Sequence, residues 1–264
     1  MYEQGYMYGR AVKALGQNFL TDAGVARAEA AHSHGKNVLE LGPGYGILTK
    51  ELCKHAKRVV AVEKDYRLYT YLRSNVVSRK LKLVNKDFFK ATDLELETGK
   101  ADIMISNIPY ALSSKTIEWL YSRNLQAVLC LQKEFVEHML AREGSDSYSR
   151  LSVMCSLLFS VTRMMRVPRS AFSPAPKVDS VLVYLKPRAN SVSDEEKRAI
   201  NALMQHKKKT FRRAVLDSRA FFRVGKDRLA VIAGGMGCSE TRLFKMGPEE
   251  ILAACRELIY CLNE

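Results

Sequence analysis

Three glycines at alternate positions, Gly42, Gly44 and Gly46, lie within Glu40-Leu-Gly-Pro-Gly-Tyr-Gly-Ile-Leu-Thr49. Glycine tolerates positive φ and lets a ligand approach the main chain closely. The apolar run 38–41 leads into them and another apolar stretch follows, so the segment reads as strand, tight turn, helix. Open α/β sheets bind ligands at the carboxyl ends of their parallel strands. A second apolar run ends on Glu63, 21 residues after Gly42. An acid there can accept hydrogen bonds from both hydroxyls of a ribose. NAD, FAD and S-adenosylmethionine all satisfy these two features. The glycine spacing departs from the dinucleotide pattern Gly-x-Gly-x-x-Gly/Ala, which argues against the first two.

A third group, Ser106-Asn-Ile-Pro-Tyr110, follows the apolar run 103–105. The Asn107 carbonyl can accept a hydrogen bond from an amino group. Pro109 fixes the backbone, so the Ile108 carbonyl can accept a second, and the Tyr110 ring can stack on a flat base. That set suits the exocyclic N6 of adenine, a poor nucleophile because its lone pair is delocalised into the ring. Two acceptors holding its hydrogens favour a pyramidal nitrogen and aim the lone pair at a methyl donor. No strong general base is required, because the nitrogen becomes acidic once alkylated.

These residues need a sheet and its turns to hold them. Apolar, β-branched runs predict strands at 38–41, 59–63, 81–84, 101–106 and 127–131. Between them the pattern predicts helices over 47–53 and 66–78, and one capped by Ser113 or Ser114 with Trp119 and Leu120 in the core. A helix from Asp22 through Ala31 precedes the first strand. Phe135, Val136, Met139 and Leu140 recur at helical spacing as a buried face, and 143–149 reads as a polar loop. Strands alternating with helices imply an α/β fold with a parallel sheet. Two further strands, 160–167 and 180–185, are joined without a helix and imply an antiparallel edge. Their connection carries Phe172-Ser-Pro-Ala-Pro176, stiffened by two prolines. It can hold Phe172 against a base on the face opposite Tyr110; a core position beneath a proline-rich loop suits Phe172 equally.

Gly16-Gln-Asn-Phe-Leu20, Glu40-Leu-Gly-Pro-Gly44, Glu63, Asp87, Asn107-Ile-Pro-Tyr110 and Phe172-Ser-Pro-Ala-Pro-Lys-Val-Asp-Ser180 occur in that order. Together they resemble the small-subunit ribosomal RNA adenine N6-dimethyltransferases of the KsgA type, over about residues 13–188 and more loosely to the end. Ile108 stands where Leu is common, a conservative departure. The resemblance implies a Rossmann-like, seven-stranded S-adenosylmethionine-dependent methyltransferase sheet with a small C-terminal α-helical domain. It implies cofactor contacts from Asn18, Leu20, Gly42, Gly44, Glu63, Asp87, Phe88 and Asn107. It gives the reaction to Asn107, Ile108, Pro109, Tyr110 and Phe172, with no metal and with S-adenosylhomocysteine as product. The implied reaction is N6,N6-dimethylation of two adjacent adenosines in a 3′-terminal loop of small-subunit (16S-type) rRNA during ribosome biogenesis. Without the resemblance, Asp87 reads as a turn or cap residue, and Phe19 and Leu20 as loop residues packed into the core.

A chain of 264 residues accommodates one large domain and a small one. The expected division is 1–188, the catalytic domain, and 189–264, a helical domain touching RNA or the ribosome. The net charge of +14, from 42 Lys and Arg against 28 Asp and Glu, favours a polyanionic partner. Composition shifts near Pro187, and Ser193 with Glu196 forms a capping box. Residues 201–228 hold nine Lys or Arg and two acids. Within them Lys207, Lys208, Lys209, Arg212 and Arg213, set one helical turn apart around Phe211, are expected to meet the RNA backbone; a solvated helical face is the blander fate of such a run. The glycines of 234–237 read as a turn between helices, and 248–262 as a closing helix. No apolar run approaches the roughly 20 residues needed to span a bilayer. Residues 1–10 lack the apolar core of a signal peptide, and 1–13 read as a flexible, partly basic arm. A cytoplasmic monomer acting on the small ribosomal subunit or its rRNA is the expectation. The six cysteines form no Cys-x-x-Cys and read as reduced, mostly buried thiols. His32 and His34 fall in a surface loop with no matching ligand cluster.

Three other readings share parts of this pattern. Another adenine N6-methyltransferase, acting on large-subunit RNA as the antibiotic-resistance enzymes do, or on DNA, would carry the same motifs. An RNA-binding assembly or transcription factor could keep the fold with slow or no turnover, although intact Glu63, Asp87 and 107–110 argue against lost catalysis. A nucleotide-dependent oxidoreductase fits neither the glycine spacing nor Asn-Ile-Pro-Tyr.

Overall fold

The computed structural model describes residues 18–189 and 192–263. The basic arm expected over 1–13, and Gly16 and Gln17 of the first motif, lie outside them. The chain divides into two compact units, Met1–Lys133 with Val161–Pro187, and Glu134–Ser160 with Arg188–Glu264.

In the first unit the strands are β1 (Phe19–Leu20), β2 (Asn37–Leu41), β3 (Arg58–Glu63), β4 (Leu81–Asn85), β5 (Ile103–Ser106), β6 (Gln126–Gln132), β7 (Phe159–Val167, entering from the second unit), β8 (Phe172–Ser173) and β9 (Ser180–Pro187). Seven of them form one sheet in the order β4-β3-β2-β5-β6-β9-β7. The five strands from β4 to β6 pair in parallel. The expected antiparallel element is β9, which pairs with β6 in the register Cys130↔Leu182 and lies between it and the rim strand β7. Strands β2 and β3 are buried along almost their whole length. That explains their unbroken apolar runs, since a parallel strand carries helices on both faces.

Three helices sit in the crossovers nearest the site: α1 (Ala23–Ala30), α2 (Ile47–His55) and α3 (Tyr66–Asn75). Asp22 caps α1 by accepting from the Gly24 and Val25 amides, and Asp65 caps α3 from Arg67 N. A short α4 (Asp93–Leu96) opens with a Thr92–Glu95 capping box. The helix α5 (Ser113–Ser122) corrects one expectation. Neither serine caps it: a 3₁₀ turn over Tyr110–Leu112 runs straight into it, and Ser113 Oγ instead donates to the Tyr110 carbonyl at 2.9 Å. Leu120 is fully buried, whereas Trp119 is only half-buried beneath Arg123, 4.4 Å from its ring.

The second unit contains α6 (Lys133–Met139), α7 (Arg150–Leu158), α8 (Asp194–Met204), α9 (Phe211–Asp217), α10 (Arg219–Phe222), α11 (Lys226–Gly235) and α12 (Pro248–Asn263). The expected division after 188 leaves out a segment: 134–160 belongs with the C-terminal helices. The physical reason is α7, which packs on α8 and α12, and Tyr148, fully buried with its hydroxyl donating to the Met246 carbonyl at 3.0 Å. On α6, Val136 and Met139 are buried, but the helix stops at Met139 and Leu140 is left 36% exposed. The Ser193–Glu196 capping box opens α8 as expected. All six cysteines are free thiols; Cys130, Cys155 and Cys255 are buried and the other three partly exposed. Among the described residues there is no cluster of potential metal ligands, and no helix long and apolar enough to cross a membrane.

Candidate active site

The carboxyl ends of β2, β3, β4 and β5 deliver Gly42, Glu63, Asp87 and Asn107 to one cavity of about 460 Å³ within the first unit. This is the switch point of the sheet, where β2 is flanked by β3 on one side and β5 on the other. The strand ends are tied together. The Gly42 amide donates to the Val62 carbonyl at 2.9 Å, and Ser106 Oγ donates to the Leu41 carbonyl at 2.5 Å. Gly42 and Gly44 hold φ of +69° and +58°, in the left-handed region that favours glycine. A Cβ on Gly44 would lie 3.0 Å from Phe19 Cδ1. The turn leaves Gly44 N to donate to Glu63 Oε2 at 3.2 Å, while Asp65 N donates to Oε1 at 2.8 Å. Glu63 is 6% exposed, and burial raises its carboxyl although these two amides favour its charged form.

Asp87 lines the cavity and also performs the ordinary work of an Asp at a turn. Its Oδ1 accepts from Phe89 N at 3.1 Å, capping the 3₁₀ turn 88–90. Its Oδ2 pairs with Lys64 Nζ at 3.0 Å, and that bond holds the carboxyl below its usual range. Phe88 is buried in the cavity wall, edge-on to Trp119 with ring centroids 4.9 Å apart. Asn18, Ile108, Pro109, Tyr110 and Phe172 line the same cavity. Leu20 does not; its side chain is buried in the core cluster that also holds Val25 and Ala26. A two-stranded ribbon joins the first motif to the proline-rich one, with Phe19 opposite Ser173 and Leu20 opposite Phe172. Phe172 is 6% exposed, in the core, and forms part of the cavity wall. The Tyr110 hydroxyl lies 2.7 Å from Ser180 Oγ, and burial pushes the phenol up to about 12. The tyrosine is therefore neutral across the physiological range.

The sequence reading missed two buried acids beneath this wall, Glu29 and Glu40. Glu29 is fully buried on α1, and its Oε2 accepts from Asn107 Nδ2 at 3.0 Å. Burial, reinforced by the nearby Glu40 charge, holds its carboxyl well above the usual carboxylate range. Glu40, 1% exposed, is pushed up to about 8, chiefly by burial. Asn107 Oδ1, Glu29 Oε1 and Glu40 Oε2 are buried and meet no hydrogen-bond partner among the described residues. Val25, Ala26, Glu29 and Ala30 are the buried residues of α1, so in the fold the acid occupies a helical position otherwise held by apolar side chains.

In the second unit the expected basic group is not one helical face. Residues 207–209 form turns before α9 begins, and Phe211 between the two clusters is fully buried. Lys207 Nζ donates to the Tyr148 and Asp146 carbonyls, and Lys209 Nζ pairs with Asp217 Oδ2 at 2.6 Å. Lys208, Arg212 and Arg213 are exposed.

A sequence profile of the family described as "Ribosomal RNA adenine dimethylase" matches residues 10–222. The chain is 36% identical over 255 residues to a "Probable ribosomal RNA small subunit methyltransferase A" of Thermococcus gammatolerans, covering 94% of this chain and 89% of that protein. Its structure is similar to that of a dimethyladenosine transferase from Plasmodium falciparum, with a TM-score of 0.77, 28% identity, and coverage of 93% of this chain and 97% of the other. It is also similar to the 23S rRNA methyltransferase ErmE, with a TM-score of 0.61, 25% identity, and coverage of 94% and 100%.

Proposed function

The chain belongs to the ribosomal RNA adenine dimethylase family, and from that premise we propose that it uses S-adenosylmethionine to convert two adjacent adenosines of small-subunit rRNA to N6,N6-dimethyladenosine. It is a methyltransferase, as are the relatives that match it. The observation that carries the finer reading is Asn107 Oδ1, a buried carbonyl oxygen with no partner among the described residues, on a residue lining the cavity. Leaving such an acceptor unmet costs about 1–3 kcal/mol, which the amino hydrogen of an adenine would recover.

The residues present suit the cofactor. The glycine turn keeps a Cβ out of the cavity wall, and Glu63 stands at the next strand end for a ribose. When bound, S-adenosylmethionine supplies a methyl group activated by a sulfonium. The remaining work is positioning, which can account for much of the rate. Asn107 and the Ile108 carbonyl accept the two amino hydrogens and orient N6. Tyr110 and Phe172 pack on the faces of the base, which must leave its helical stack or already lie in a loop. Asp87 and Phe88 address the adenine of the cofactor. Exposed Lys208, Arg212 and Arg213 meet RNA phosphates. The enzyme acts as a monomer in the cytoplasm, on the small ribosomal subunit.

Two substitutions test this reading. Asn107→Ala abolishes transfer while RNA binding, followed by filter retention, stays within about twofold. Glu63→Ala weakens S-adenosylmethionine binding in calorimetry by at least about tenfold. Joint loss of RNA binding and transfer in Asn107→Ala would remove Asn107 from the chemical step. The similarity to ErmE favours a second reading at one point, the substrate: large-subunit RNA in place of small.

A further inference from the structure

Glu29 is a costly side chain in the first unit. It is fully buried, one of its oxygens has no partner among the described residues, and the Glu40 charge lies near it. Its neighbours on the buried side of α1 are Val25, Ala26 and Ala30. An apolar residue there would remove the cost of burying an acid. Among the described residues its carboxyl accepts one hydrogen bond, from the Asn107 amide, Nδ2 to Oε2 at 3.0 Å.

A side-chain amide has two ends of nearly the same shape and opposite hydrogen-bonding sense. Turned one way Asn107 offers an acceptor; turned the other, two donors. An amino-group substrate requires the acceptor. In its charged form Glu29 decides between them, because a carboxylate only accepts, whereas a protonated carboxyl can also donate to Oδ1. Nδ2 is therefore drawn to Glu29 and Oδ1 is left as the unmet acceptor. We infer that Glu29 is a positioning residue that sets the orientation of the Asn107 amide for an exocyclic amino group. This rests on the proposed reaction, though the orientation can be measured without it.

The test compares Glu29→Met, of similar length with no acceptor, and Glu29→Gln, which can still accept, with the parent chain. Glu29→Met melts at the parent temperature or above, because a buried acid has been removed. Its kcat falls at least about 30-fold, S-adenosylmethionine affinity stays within about threefold, and in the Asn107→Ala background Glu29→Met adds no further loss. Glu29→Gln, whose amide can donate as well as accept, has a kcat between those of the parent and Glu29→Met. Independently of turnover, the Asn107 side-chain amide signals in 15N-labelled protein, assigned by their loss in Asn107→Asp, are shifted and slow to exchange in the parent and Glu29→Gln, and not in Glu29→Met. Parental kcat in Glu29→Met would overturn the inference. So would a fall in melting temperature that accompanies the loss of activity, or Asn107 amide signals indifferent to residue 29. Absence of transfer by the parent chain would instead count against the reaction, and the amide signals would still decide the role of Glu29.

Discussion

Asn107 and its neighbours show how a buried acid can be read two ways at the level of single residues. Among the described residues Glu40 carries no basic partner, and burial pushes it up to about 8. Between its ordinary value of 4.5 and about 8 the folded chain holds a proton that the unfolded chain has released. Its contribution to stability is therefore present at low pH and is lost as pH rises through that window. Glu40→Gln should flatten the fall in melting temperature between about pH 5 and pH 8 relative to the parent chain. Parallel curves from scanning calorimetry would show that Glu40 ionises normally. The motif glycines, Glu63 and Asn107 were legible because turn, strand end and acid recur at fixed spacing. Glu29 was not, because a charge in a short amphipathic helix is ordinarily solvated, and only the arrangement of the fold brings it to Asn107, 78 residues away.

At the level of elements, the parallel strands could be read from their unbroken apolar runs, and α1 and α8 from their caps. Helix α7 could not. Val153, Met154, Cys155, Leu157 and Leu158 are all buried, so no polar stripe marks a helical period. The turn at 207–209 was misread for the opposite reason: a run of lysines has no apolar face to reveal where the helix starts. Two substitutions probe how elements are held. Gly46 opens α2 at φ +78°, and a Cβ there would lie 2.7 Å from Leu72 Cδ2 on α3. Gly46→Ala should cost about 1–3 kcal/mol in urea unfolding, from strained backbone and displaced packing. In the second unit, Tyr148→Phe leaves the buried Met246 carbonyl without its donor. A loss of about 1–2 kcal/mol is expected; a loss near zero would mean that another group takes the donor's place.

Across the whole molecule, the charge of +14 is the property most directly tied to a partner. Binding to RNA should weaken steeply with salt, because each phosphate contact releases counterions. Replacing exposed Lys208, Arg212 or Arg213 by Ala should lower the slope of log affinity against log salt by about 0.7 to 0.9 each. Lys209→Ala should change it less, since that ammonium is paired with Asp217. Equal effects from all four would mean that the basic surface acts only through its total charge. The central claim concerns chemistry, and transfer of labelled methyl from S-adenosylmethionine tests it most directly. Unmethylated small ribosomal subunits, large subunits and DNA are incubated in parallel, and the products digested to nucleosides. The account predicts N6,N6-dimethyladenosine from small subunits alone; label in large-subunit RNA or DNA alone, or no label on any substrate despite tight RNA binding, would contradict it.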